Sequence, residues 1–448
     1  MYNQRWERKV KIMNNSQLSY KWCQIGVAAL GLSGIYSIIL VVLRTPFLSS
    51  IFSDKEIFKT ALVIHVDLSV LVWLLSCSVI IWLRTISNQL LDSAISTISY
   101  IAFIGILFIV ISPWMVSENN PILNNYVPML DNFWFILGIS IFTTSLLMIS
   151  MISVVSFYFK NTLSQGFNGK KYEGLIGSLI FIISIICLFL SYHKIQHEII
   201  YPMDLYGFYE MLFWSTGHSL QFLYIHTMYT ALILVLGTNP RFIKLYYFTI
   251  WNNLLMVLSI LPIHFIANID TAEFIEFCTK HMKYAGGISG FFIIISICAE
   301  FISTKVKPKF HVGILCSMII FISGGLIGLA INGTNVTIPA HYHGSIVGIS
   351  VACMCLVYHL LNVEGQLYKY ANMQIIIYMI GQLMHISGLA WSGGYGVLRK
   401  NPDMVLSLEA KITMGIMGLG GLVAIIGGLM FVIICVRRIT MFKNNKEG

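Results

Sequence analysis

The chain carries twelve histidines. Imidazole is the side chain most often used to hold a transition metal near neutral pH. His65, His218, His226, His264, His281, His341, His343, His359 and His385 fall within or at the ends of long apolar runs. A single histidine in such a run is most often a hydrogen-bonded packing residue. Ionisable groups inside a membrane are nonetheless functional candidates by default, and several at one depth call for a common purpose. The triplet His341-Tyr342-His343 is the most informative. Two residues along a helix turn the side chain by about 200°, so the two imidazoles leave opposite flanks and can serve two centres. A single zinc site would instead favour histidines at i and i+4 on one face. Asp67 lies two residues from His65 in an apolar segment, where a lone carboxylate costs several kcal/mol, so a partner is expected. Gln221 and Glu210 are further polar candidates.

These residues need elements that cross a membrane. Of 448 residues, 57% are hydrophobic and 10% charged, against about 25% charged in a soluble domain. Runs such as Trp22–Leu43, Thr60–Leu83 and Gly174–Tyr192 reach the roughly 20 residues that span hydrocarbon as a helix. The fold class is an all-α integral membrane protein with twelve transmembrane helices. They are expected at 22–43, 60–83, 95–115, 132–158, 174–192, 208–236, 246–268, 281–302, 311–330, 341–361, 373–393 and 412–436. The first run is expected to remain as span 1 rather than be cleaved as a signal. Residues 1–21 and 437–448 flank the membrane domain 22–436 as cytoplasmic segments. Both ends are basic (Arg5, Arg8, Lys9, Lys11; Arg437, Arg438, Lys443, Lys446), as the positive-inside rule requires. The net charge of +9 therefore points to cytoplasmic loops and not to nucleic acid. The nine cysteines show neither disulfide nor zinc spacing. In this topology His65, His218, His264, His341, His343 and His385 all fall toward the outer side, His281 opens span 8, and His193 and His197 lie in an outer loop.

The pattern resembles subunit I of the haem-copper oxidase superfamily over nearly the whole chain. Pro339-Ala340-His341-Tyr342-His343-Gly344 is similar to that family's span 10 H-x-H motif. The resemblance implies that His341 is the proximal ligand of a high-spin haem and His343 a ligand of a low-spin haem. His65, in His65-Val66-Asp67-Leu68, is similar to the other axial ligand of the low-spin haem. His218, in Gly217-His218-Ser219-Leu220-Gln221, stands where the family has its first copper ligand, and His264 near its span 7 copper ligands. Gly381-Gln382-Leu383-Met384-His385-Ile386-Ser387-Gly388 followed by Arg399-Lys400 is similar to the span 11 segment and the basic pair that contacts haem propionates.

Several positions depart from the family. Phe265 stands beside His264 where a second histidine belongs, Phe222 where a tyrosine follows the span 6 histidine, and Leu220 where a glutamate would be. Lys283 lies only near the outer end of span 8. His226 or His281 would have to complete a copper site. The resemblance implies a terminal oxidase subunit with two haems and possible copper, of the cytochrome c oxidase type. It would pass electrons through the low-spin haem to the high-spin centre and reduce oxygen. Partners would be other oxidase subunits and cytochrome c or quinol as donor, in a bacterial inner membrane. The competing readings are a nitric oxide reductase-like enzyme, a haem-binding paralogue without copper chemistry, and a twelve-span secondary transporter.

Overall fold

A backbone in hydrocarbon must satisfy its own hydrogen bonds, so apolar runs of this length form helices. The computed structural model describes residues 2–44, 55–86, 90–161, 172–237, 240–304, 308–398 and 407–447. Among these residues, twelve helices are long and apolar enough to cross a membrane. They are α1 Gln17–Leu43, α2 Glu56–Leu83, α3 Leu91–Trp114, α4 Phe133–Phe159, α5 Tyr172–Glu198 and α6 Leu205–Leu236. Then follow α7 Ile243–Ile266, α8 Ala272–Ser303, α9 His311–Leu329, α10 Thr337–Leu360, α11 Gly365–Gly394 and α12 Leu408–Met441. The protein is an all-α integral membrane protein, as its composition requires. A short antiparallel hairpin, β1 Pro121–Ile122 with β2 Met129–Leu130, lies between α3 and α4 and pairs Pro121 with Leu130.

Several helices differ from the sequence expectation for local reasons. The helix containing α1 starts at Tyr2, so residues 2–16 are helical and run on into the first span. α5 runs unbroken to Glu198, which puts His193 and His197 in its last turns and not in a loop. No breaker occurs before Pro202, and a Lys194–Glu198 ion pair at i, i+4 supports the final turn. α8 begins at Ala272, a turn or more before the expected start, because the Thr271 side chain caps it by accepting from Phe274 N–H. α7 is interrupted: regular helix ends at Leu258 and resumes as one turn, Ile263–Ile266, after Pro262. Proline has no N–H to continue the ladder, and His264 is thereby displaced from the helix proper.

Two π-helical turns stand out. One spans Asp67–Val72, just after His65, and the other Met282–Gly286, directly after His281. Such turns recur where a side chain must be re-aimed at a functional site.

The chain divides into two compact units. The first contains Met1–Thr227 and Phe242–Ser296, with α2 as an enclosed element: Trp73 and Trp82 are fully buried. The second contains Met228–Arg241 and Ile297–Gly448. In it α10 packs on α9 and α11, and its stretch Val351–Tyr358 is wholly buried.

Candidate functional site

In the first unit, the His65 ring is held by α1. Ser33 and Ser37 lie one turn apart on that helix, and both face the imidazole. Nδ1 is 3.0 Å from the Ser33 carbonyl oxygen, 2.9 Å from Ser33 Oγ and 3.0 Å from Ser37 Oγ. The Ser33 hydroxyl donates to the His65 carbonyl at 3.0 Å, and the Ser37 hydroxyl donates to the Ser33 carbonyl at 3.1 Å. A carbonyl oxygen only accepts, so Nδ1 carries the ring proton and Nε2 the lone pair. That is the tautomer of a histidine bound to metal through Nε2, with its other nitrogen anchored by an outer partner. Asp67 enters the π turn that follows; it is buried, and its Oδ2 has no hydrogen-bond partner. No countercharge meets it among the described ion pairs, contrary to the sequence expectation.

In the second unit, the two histidines of the H-x-H triplet turn to different neighbours. His341 Nδ1 donates to the Gly324 carbonyl of α9 at 2.8 Å. The ring lies so close to α9 that a Cβ on Gly328 would stand 2.5 Å from Nδ1, which only glycine avoids. His343 Nδ1 donates to the Pro339 carbonyl one turn back at 2.8 Å, and its ring lies 5.1 Å from that of His385 on α11. His385 Nδ1 in turn donates to the Met417 carbonyl of α12 at 3.0 Å. All three rings therefore keep the lone pair on Nε2. The four histidines at the positions resembling haem sites share one arrangement, with Nδ1–H on a backbone carbonyl and a half-buried ring. The donor set thus fits axial ligation of haem iron by His65, His341 and His343.

The residues expected to hold copper are arranged differently. His218 Nδ1 donates to the Trp214 carbonyl at 2.6 Å, which leaves Nε2 as acceptor, and the Tyr126 hydroxyl donates to it at 2.9 Å. Both ring nitrogens are committed. Tyr126 reaches α6 from the β1–β2 hairpin and fits over Gly217, where a Cβ would stand 2.2 Å from the tyrosine ring. His264 Nε2 meets Ser215 Oγ at 3.0 Å and Ser191 Oγ at 3.5 Å, while its Nδ1 is buried without a partner. Phe265 is 77% exposed and turned away from that cluster. His281 Nε2 donates to the Met256 carbonyl at 2.8 Å and lies 3.0 Å from Ser259 Oγ; its Nδ1 is also an orphan. Among the described residues no group of three or more His, Cys, Asp or Glu side chains converges as a metal site. Of the two histidines expected to hold copper, His218 therefore has its Nε2 lone pair on the Tyr126 hydroxyl, and His264 stands against Ser215 and Ser191.

A further buried cluster ties four helices of the first unit together. Glu173, at the start of α5, accepts from the Tyr246 hydroxyl at 2.8 Å and lies 3.8 Å from Arg84 Nε. His226 Nε2 donates to the Glu173 backbone carbonyl at 2.8 Å. Arg399 and Lys400, expected to meet propionates, lie outside the described residues. Tyr126 and the Ser33/Ser37 pair escape a reading of sequence alone. A tyrosine in an aperiodic loop and serines at i, i+4 in an apolar run are common without any site.

No protein-family model matches the chain. By structure it is similar to a haem-copper terminal oxidase dimer solved by cryo-electron microscopy. That TM-score is 0.72 at 14% identity, covering 95% of this chain and 84% of the other, so the likeness is one of fold. By sequence the chain is 23% identical to an uncharacterized Aquifex aeolicus protein over 80% of its length and 88% of the relative's. It is 36% identical to the uncharacterized protein RP382 of Rickettsia prowazekii, across 97% of this chain and 98% of that one. At that identity over essentially full length, the chain belongs to the same family as RP382, and its twelve helices follow the haem-copper oxidase fold.

Proposed function

We propose that this protein is a haem-binding subunit of a respiratory membrane oxidoreductase, with His65, His341 and His343 as haem ligands in the roles that the sequence resemblance implies for them. The observation that carries the reading is the shared tautomer: His65, His341 and His343 each anchor Nδ1–H on a backbone carbonyl and keep the Nε2 lone pair. Bound there, a haem with two axial histidines would transfer single electrons, and one with a single axial histidine would present an open position to a small gas such as oxygen. The chain's own contribution is to fix ring orientation and to raise ligand basicity. The Ser33 and Gly324 carbonyls do both, since each pulls on an Nδ1 proton within a low-dielectric interior. His385 supports the second unit's site through its ring contact with His343. Arg399 and Lys400 are assigned the propionates.

Electrons would arrive from a partner subunit, a cytochrome or a quinol, because the chain contains no Cys-x-x-Cys-His haem attachment motif. The basic ends support placing both termini in the cytoplasm, and the resemblance to the oxidases supports a bacterial inner membrane.

The second reading has a specific observation behind it. The Tyr126–His218 hydrogen bond takes the nitrogen that copper would need, and the described residues bring no cluster of three ligands together there, which favours a haem-bearing relative of the oxidases without the copper centre. A nitric oxide reductase-like centre would need a metal-ligand cluster at the same place, and a transporter gives no reason for four identically anchored histidines.

Metal analysis separates these readings. Purified chain in detergent is expected to carry about two haem irons and much less than one copper, by haemochrome assay and elemental analysis. Stoichiometric copper would overturn the copper-free form of the proposal; absence of haem would overturn the proposal itself.

A further inference from the structure

The last turns of α5 hold a feature that no haem role uses. His193 and His197 sit at i and i+4, so their side chains rise from one face of the helix, one above the other. Their ring centroids are 4.3 Å apart with planes inclined by 46°, and both rings are exposed. Tyr192 and Gln196 stand beside them on the same helix, and the patch continues onto exposed Ile186 and Phe189.

Depth decides whether solutes reach them. α5 has 27 residues, or about 40 Å at 1.5 Å per residue, against about 30 Å of hydrocarbon. Its apolar run Gly174–Tyr192 accounts for the hydrocarbon, and His193-Lys194-Ile195-Gln196-His197-Glu198 is the polar end that emerges. The histidine pair therefore stands at the membrane surface, open to ions from water.

We propose that His193 and His197 form a binding site for a divalent transition metal, of the copper(II) or zinc(II) class. Two imidazole nitrogens each about 2.1 Å from one ion stand about 3.4 Å apart in tetrahedral geometry, a spacing that rings with centroids 4.3 Å apart can meet. One helical turn sets this spacing, as in other i, i+4 histidine pairs that share a metal. Nearby charges do not oppose the ion. Lys194 is paired with Glu198 Oε1, and Glu198 Oε2 accepts from Ile269 N–H at 2.9 Å. That commitment also keeps Glu198 out of the ligand set, so the metal would hold two imidazoles and complete its shell with water. Borderline cations that favour imidazole select such a site, copper(II) most tightly, while calcium and magnesium do not.

The site has a mechanical consequence. Ser191, two residues before His193, bonds Ser215 at 3.1 Å and lies 3.5 Å from His264 Nε2. Glu198 clamps the α7–α8 connection at Ile269. A metal bridging His193 and His197 would stiffen the helix end that makes both contacts. The proposal stands apart from the haem reading and shares no ligand with it.

The test uses the full chain without a histidine affinity tag, purified in detergent and stripped with a chelator. Copper(II) titration followed by electron paramagnetic resonance is expected to show one site per chain with nitrogen coupling from imidazole. His193→Ala and His197→Ala should each weaken binding at least about tenfold. Zinc(II) should raise the thermal midpoint of the wild-type chain and not that of the double variant. The two rings are exposed, so the metal-free midpoints of the variants should match wild type. No stoichiometric binding in the wild type, or binding that survives in the double variant, would overturn the proposal.

Discussion

His343→Ala and His65→Ala are each expected to abolish the six-coordinate haem signal, taking bound haem from about two per chain to about one. An iron with two axial imidazoles loses its low-spin character when either is removed, and the remaining ligand binds weakly against water. Each variant loses one Nδ1–carbonyl hydrogen bond, about 1 kcal/mol, so the chain itself should remain folded. His341→Ala should give the complementary result, sparing the six-coordinate signal and removing the carbon monoxide-sensitive haem. Ser33→Ala combined with Ser37→Ala tests the outer partners of His65. The Ser33 carbonyl remains, so haem affinity should fall by about tenfold without loss of the site. Haemochrome content with reduced-minus-oxidised spectra reads all of these. A wild-type spectrum in His343→Ala would remove that residue from the ligand set.

The second large effect concerns stability. Glu173→Ala should lower unfolding stability by about 2–3 kcal/mol. The substitution leaves the buried Tyr246 hydroxyl without its acceptor and Arg84 without its carboxylate. Breaking a fully buried ion pair costs about 3–5 kcal/mol, and the 30% exposure of the Arg84 side chain reduces this through solvent screening. Glu173→Gln keeps an acceptor for Tyr246 and should cost about 1 kcal/mol. The His226 bond goes to the backbone carbonyl of residue 173 and survives both changes. Thermal midpoints in detergent check the order wild type, Gln, Ala. Equal midpoints for the two variants would mean that the Tyr246 bond contributes nothing.

Much of this architecture is legible in the sequence, because lipid imposes the strongest of structural constraints. All twelve helices appear as apolar runs, and His341-Tyr342-His343 announces two flanks by its spacing alone. What the runs do not reveal is where a helix stops once it leaves the hydrocarbon. The polar residues at 193–198 read as a loop, yet their Lys194–Glu198 pair and lack of a breaker keep them helical. Span 7 reads as one run, 246–268, and the interruption at Pro262 that displaces His264 shows only in the structure. Long-range partners were invisible. Tyr126 bonds His218 across 92 residues of sequence, and Ser33 bonds His65 across 32. Neither contact leaves a periodic trace in the chain. The departures Phe265 and Phe222 stand in the same two spans as His264 and His218, where the described residues form no cluster of three metal ligands.

The most direct measurement is the reduced optical spectrum of the purified chain, recorded before and after carbon monoxide. Two haems are expected, of which one shifts with carbon monoxide because its iron has an open axial position, while the other, held by His65 and His343, does not respond. A chain with no haem absorbance, or with both haems unresponsive to carbon monoxide in the folded protein, would contradict the assignment of one open and one closed haem site.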